Sequence, residues 1–106
     1  MFFESNECKI TNCDLGVTRK VLAYDKDMML CEMSFEKDAV GQQHTHPHVQ
    51  SSYILEGSFL FTVDGESKLV TTGDSLYIPS GVTHGVVCME AGKLLDIFSP
   101  MRDEFV

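Results

Sequence analysis

The sequence predicts an all-β chain closed into a sandwich or barrel. Three observations carry this. Short runs rich in β-branched and aromatic residues recur along the chain. Gly, Asp and Pro punctuate them about every eight to twelve residues. No stretch repeats its apolar residues with the helical period of about 3.6 over three turns. At 106 residues and 43% hydrophobic content, the chain can bury one core. No linker, repeat or low-complexity segment divides it, so one domain over 1–106 is expected.

The first predicted strand is 17–25, a mixture of β-branched and polar residues. Residues 28–36 alternate from Leu30 onward. Cys31, Met33 and Phe35 fall on one side, and Glu32, Ser34 and Glu36 on the other, a strand with one wet face. A turn over 37–41 leads into a histidine-rich stretch. Strand 50–55 is joined to strand 59–63 by a tight connection over 56–58. Asp64-Gly65 is a hairpin turn, because Gly tolerates the positive φ that such turns need. The chain returns over 68–71, turns at 72–74 and runs on through 75–78. Pro79-Ser80-Gly81 breaks that strand, and 83–89 forms the next. A turn at Ala91-Gly92 precedes the last strand, 93–98, and Ser99-Pro100 ends it before a six-residue tail.

Charge and cysteine usage narrow the function classes. The net charge is −8, from 16 acidic against 8 basic residues, with no basic run, so nucleic acid and anionic membranes are not expected partners. No segment approaches the roughly 18 apolar residues of a membrane span. The first residues show no basic region and no apolar run of signal length, so a cytoplasmic location is expected. Cys8, Cys13, Cys31 and Cys88 lack C-x-x-C spacing and read as reduced thiols, mostly small core residues. Phe2 and Phe3 are too apolar for a free tail and could extend a partner's sheet edge, which makes a homodimer the expected assembly.

The chemistry concentrates in two clusters. Three of the four histidines lie within His44-Thr45-His46-Pro47-His48, and the fourth, His84, follows Gly73-Asp74…Pro79…Gly81. Side chains two apart on a strand share a face, so His44 and His46 can reach one ion. Gln50 joins them if Pro47 does not shift the register, and His84 would arrive from a neighbouring strand. Imidazoles suit a divalent transition metal ion, with zinc, nickel, iron and manganese all open. Three neutral imidazoles and a neutral amide would leave the ion's charge uncompensated, which favours Lewis acidity. His48 has the same parity but follows Pro47, leaving it either a ligand or a residue of the pocket rim.

Asp96 sits mid-run in Leu94-Leu95-Asp96-Ile97-Phe98 and shares a face with Leu94 and Phe98. A carboxylate among apolar neighbours has a raised pKa, as a general acid near neutrality needs. The alternative is a solvent-facing Asp on a strand of mixed faces. Arg102 is either one more charge in a tail or a planar fork folded back onto a substrate carboxylate. Phe98 is either core or a platform for a sugar ring. Tyr53 and Tyr77 could bring hydroxyls to a rim.

His44, His46, Tyr53 and Gly57, followed by Gly73, Asp74, Pro79, Gly81 and His84, resemble the two motifs of the cupin superfamily over about residues 36–90. The resemblance implies a single-domain jelly roll, the double-stranded β-helix barrel, and a homodimer, usual among small cupins. Two positions depart from the pattern: Gln50 stands where an acidic ligand is common, and Cys88 where an Asn often ends the second motif. The loss of the acid weakens a dioxygenase reading. Within cupins the chain is similar to the small KdgF-type proteins of pectin degradation. The similarity runs from Met1-Phe2-Phe3 through 44–50 and 78–85 to Asp96-Ile97-Phe98-Ser99-Pro100-Met101-Arg102. It implies ring opening of 4,5-unsaturated uronates released by pectate or alginate lyases. It also implies metal ligands at His44, His46, Gln50 and His84, with active-site residues Asp96, Phe98 and Arg102. Two other classes stay open: a metal-dependent dioxygenase on a small organic acid or thiol, and a non-catalytic sugar-binding or sensing cupin.

Overall fold

The computed structural model describes all residues, 1–106, as eight strands and two short 3-10 turns, with no α-helix. In chain order the strands are β1 (Ile10–Asp14), β2 (Val17–Asp25), β3 (Met28–Phe35), β4 (Val40–His44), β5 (Val49–Val63), β6 (Glu66–Thr71), β7 (Ser75–Ile78) and β8 (His84–Ser99). The sheet order is β1-β2-β3-β8-β5-β6, with β4 added to β8 and β7 to β5, all antiparallel. No helix is long and apolar enough to cross a membrane.

The two long strands make this a jelly roll. The first part of β5 pairs with β7 and with the end of β8, which continues through β3 to β2 and β1. The second part of β5 pairs with β6 and with the start of β8, which is flanked by β4. Each long strand thus passes from one layer to the other, and the layers enclose the core. Phe35 and Phe59 meet edge-on across it, their ring centres 5.3 Å apart. The alternation expected in 28–36 holds in part: Cys31 and Phe35 are buried and Met33 half-buried, while on the other side Glu36 is exposed but Glu32 and Ser34 are half-covered.

Two expected turns are bends instead. Residues 56–58 and 91–92 do not end strands; they are where β5 and β8 fold together, with register shifts from Ile54 to Phe59. Glycine reads the same at a turn and at a close approach of two backbones, and here the second applies. A Cβ on Gly92 would lie 2.0 Å from the Glu56 carbonyl oxygen, and one on Gly57, at φ +84°, 2.6 Å from that of Glu90. Gly92→Ala must therefore part the two central strands. It is expected to destabilise the fold by about 3 kcal/mol or more. Gly65→Ala meets nothing and costs only its positive φ, about 1–2 kcal/mol. Equilibrium denaturation of both variants checks the difference.

Other expectations need correction. Val40 and Gly41, placed in a turn, open β4. β1 was not expected; it is a short edge strand with mostly exposed side chains and no apolar alternation. All four cysteines are free; Cys31 and Cys88 are core, but Cys13 is exposed and Cys8 only half-buried. Residues 1–4 form no strand: Phe3 packs on Tyr24 at 5.4 Å, whereas Phe2 is 98% exposed.

Candidate metal centre and active site

Strand pairing explains why the histidines meet. His44 ends β4 directly opposite His84, the first residue of β8. Directly opposed residues share a sheet face, so these rings lie 4.4 Å apart. His46 falls in the loop after β4, not on a strand, and its ring still reaches 4.8 Å from His84 and 5.5 Å from His44. One ligand atom from each of the three lies within 4.8 Å of the others. His46 and His84 are buried, and His44 is exposed.

The tautomers follow from the backbone. Nδ1–H of His44 donates to the Gln42 carbonyl at 2.8 Å, that of His46 to His48 at 2.9 Å, and that of His84 to Val82 at 2.9 Å. A carbonyl can only accept, so each neutral ring keeps its lone pair on Nε2. The Nε2 of His84 is buried with no partner. Burial lowers the pKa of both His46 and His84, against the raising effect of those carbonyls, and holds the rings in the neutral, ligating form.

Gln50 completes the picture. Its Nε2–H₂ donates to Ser52 Oγ at 3.0 Å and to Asp96 Oδ1 at 3.1 Å, which turns Oε1 toward His46 Nε2 at 3.0 Å. Two lone pairs then face each other at hydrogen-bond distance. That arrangement is repulsive unless a cation lies beside them. Together with the orphaned Nε2 of His84, this donor set fits a divalent metal ion. The sequence leaves His48 open, but its ring is outside the cluster. It contributes its carbonyl to orient His46.

Asp96 stands directly opposite Ser52 across β5–β8, and the Ser52 hydroxyl donates to its Oδ1 at 2.6 Å. Both of its hydrogen bonds end on Oδ1, leaving Oδ2 without a side-chain partner. Desolvation pushes its pKa up to about 6, while the Ser52 and Gln50 hydrogen bonds and the Arg102 charge oppose the rise. Leu94 and Phe98 flank it on the same face, both buried, as the alternation implies.

A cavity of about 350 Å³ unites these groups: His44, Gln50, His84, Asp96, Phe98 and Arg102 all line it. The tail folds back over it. Arg102 is mostly covered, and its guanidinium carbon lies 5.1 Å from the Phe98 ring centre and 4.5 Å from that of Phe105. Two further residues, Arg19 and Phe105, line the cavity and were missed in the sequence. Arg19 had a signal, since alternation puts it on the face of the buried Val17 and Val21. Phe105, seven residues beyond the last predicted strand, had none. Tyr53 and Tyr77 are exposed and line no part of this cavity. A larger groove of about 510 Å³ runs beside β6 and β7, with no histidine or arginine in its lining.

A jelly roll with imidazoles gathered inside it defines a metal-binding cupin, and the cupin domain family Cupin_2 matches residues 31–98. The chain is 38% identical over 93 residues to the pectin degradation protein KdgF of Dickeya dadantii (strain 3937), covering 86% of this chain and 84% of that protein. It therefore belongs to the cupin superfamily, among the KdgF-type proteins. The solved structure of KdgF from Halomonas sp. superposes with a TM-score of 0.93 at 32% identity, covering 100% of this chain and 98% of that one. An RmlC-like cupin from Shewanella frigidimarina NCIMB 400 gives 0.94 at 40% identity, covering 99% and 95%.

Proposed function

We propose that the protein is a metal-dependent enzyme of pectin or alginate breakdown that opens the ring of 4,5-unsaturated uronates. One observation carries the reading: a single cavity is lined by two imidazoles of the three-histidine cluster, His44 and His84, by a carboxyl group poised near neutrality and by a guanidinium. The kinship with KdgF supports the substrate class.

His44, His46 and His84 would hold the ion, with Gln50 Oε1 as a fourth, neutral donor. A divalent ion there supplies Lewis acidity and, the reaction being redox-neutral, need not change oxidation state. Arg102 binds the substrate carboxylate through its planar fork, and Phe98 gives the ring an apolar wall. Asp96 Oδ2 takes the proton of the anomeric hydroxyl. The C1–ring-oxygen bond breaks as the C1 carbonyl forms, and its electron pair leaves as an enolate at C5. Asp96 then returns the proton to C4, and C5 becomes a ketone. The atoms of the substrate all remain in the open-chain product. A group titrating near 6 can both accept and donate within one turnover at neutral pH.

The test is turnover of 4,5-unsaturated galacturonate by protein loaded in turn with zinc, nickel, iron and manganese, followed by NMR. Open-chain keto acid should accumulate far faster than in buffer. Loss of substrate at the buffer rate with every metal would refute the proposal, and oxygen uptake would point to the dioxygenase class instead.

A further inference from the structure

The chain has only two arginines, Arg19 and Arg102, and both line the cavity of the metal cluster. In a protein of net charge −8 this gathers both guanidiniums where a ligand would sit, beside the two carboxylates of the same lining, Asp14 and Asp96. Arg19 lies at an inward position. Across the layer it stands opposite Met33, which stands opposite Leu94, and Leu94 opposite Ile54. The rest of that row is apolar.

Arg19 has no counter-ion. It takes part in neither of the two ion pairs of the chain and makes no side-chain hydrogen bond, and its Nε is buried without a partner. Of the two carboxylates lining the same cavity, Asp96 is engaged by Ser52 and Gln50, and Asp14 accepts from the Leu15 backbone N–H; neither is paired with Arg19. Glu104 reaches Arg102 only at Nε and is itself 54% exposed. Phe105 holds both guanidiniums. The Arg19 carbon lies 3.5 Å and the Arg102 carbon 4.5 Å from its ring centre, and Phe98 braces that ring edge-on at 5.9 Å. A guanidinium stacked on a ring spends its face there and keeps its in-plane N–H groups for an anion. Arg19 is half-buried, and a buried donor without a protein partner, such as its Nε, is costly unless a ligand supplies the acceptor.

We infer that Arg19 is a second substrate-binding fork, which with Arg102 clamps one carboxylate of the ligand and sets the preference for uronic acids over neutral sugars. The inference rests on the cavity being a uronate site, but not on ring opening. On this account Phe105 is a positioning residue that keeps the two forks together.

Calorimetric titration of the zinc-loaded full chain with galacturonate and with its uncharged methyl ester tests this directly. The wild type should prefer the acid. Arg19→Gln should reduce that preference by about tenfold to a hundredfold, and Arg19→Lys by less, with zinc content unchanged in both. With a reactive unsaturated uronate, Arg19→Gln should raise KM with little change in kcat. An Arg19→Gln protein that keeps the wild-type preference overturns the clamp; if its melting temperature also falls, Arg19 only covers Phe105. A wild type indifferent to the ester overturns it too. If no unsaturated uronate is turned over, yet the acid preference persists and depends on Arg19, ring opening fails and the clamp stands.

Discussion

Asp96→Asn is expected to reduce ring opening by about a thousandfold or more, and at the same time to make the metal-free protein more stable at neutral pH. Both effects follow from one cause. The Asp96 carboxyl is held among Leu94, Phe98 and Cys31, and burial raises its pKa to about 6. Between the ordinary carboxylate range and that value the folded chain keeps a proton that the unfolded chain has lost. Stability therefore falls as pH rises through this window and stays low above it. Asparagine has no proton to lose. Its Oδ1 still accepts from Ser52 and Gln50, so the hydrogen bonds that anchor the position survive. The variant should gain about 1–3 kcal/mol near pH 7.5, and the gain should vanish toward pH 4. Thermal melts across that range, beside single-substrate kinetics, read both effects. An active Asp96→Asn protein would remove the proton-transfer role. A variant less stable than the wild type at neutral pH would show that the carboxylate is not strained by its surroundings.

The same residue shows what a sequence can disclose. An Asp flanked at two-residue spacing by Leu94 and Phe98 is legible because strand alternation is local and needs no knowledge of the partner strands. The histidine clusters are legible from their spacing alone, but His46 sits in a loop, so its convergence with His44 and His84 comes from the loop's path and not from parity. Arg19 was legible in principle, between Val17 and Val21, but a charge among apolar positions is usually read as an interruption of the pattern. The course of β5 and β8 was hidden. Gly57 and Gly92 look like turn residues, and only the other strand's backbone, at 2.6 Å and 2.0 Å from their absent Cβ atoms, makes them bends. Phe105 was hidden more deeply still, since its role depends on two guanidiniums, one of them more than 80 residues away along the chain.

The second large effect concerns the ion. His84→Ala is expected to abolish stoichiometric metal binding and ring opening together, without destabilising the metal-free fold as a core deletion would. Its Nε2 is buried and unpartnered, so truncation removes a polar atom that the apo protein leaves unsatisfied. In the wild type, zinc at about a hundred times its dissociation constant should add about 2.7 kcal/mol of stability by mass action, and none in the variant. Because burial lowers the pKa of His46 and His84, zinc should stay bound below the pH at which an ordinary histidine takes up a proton. His48→Ala is the informative companion. That ring lies 5.6 Å from His46 yet outside the cluster, and what orients His46 is the residue 48 carbonyl, which the substitution retains. Metal analysis and zinc-dependent melting of the two variants should therefore diverge, with metal kept in His48→Ala and lost in His84→Ala. Loss in both would extend the ligand set to the third ring of the cluster at 44–48, and retention in both would move the metal away from the β4–β8 pair altogether.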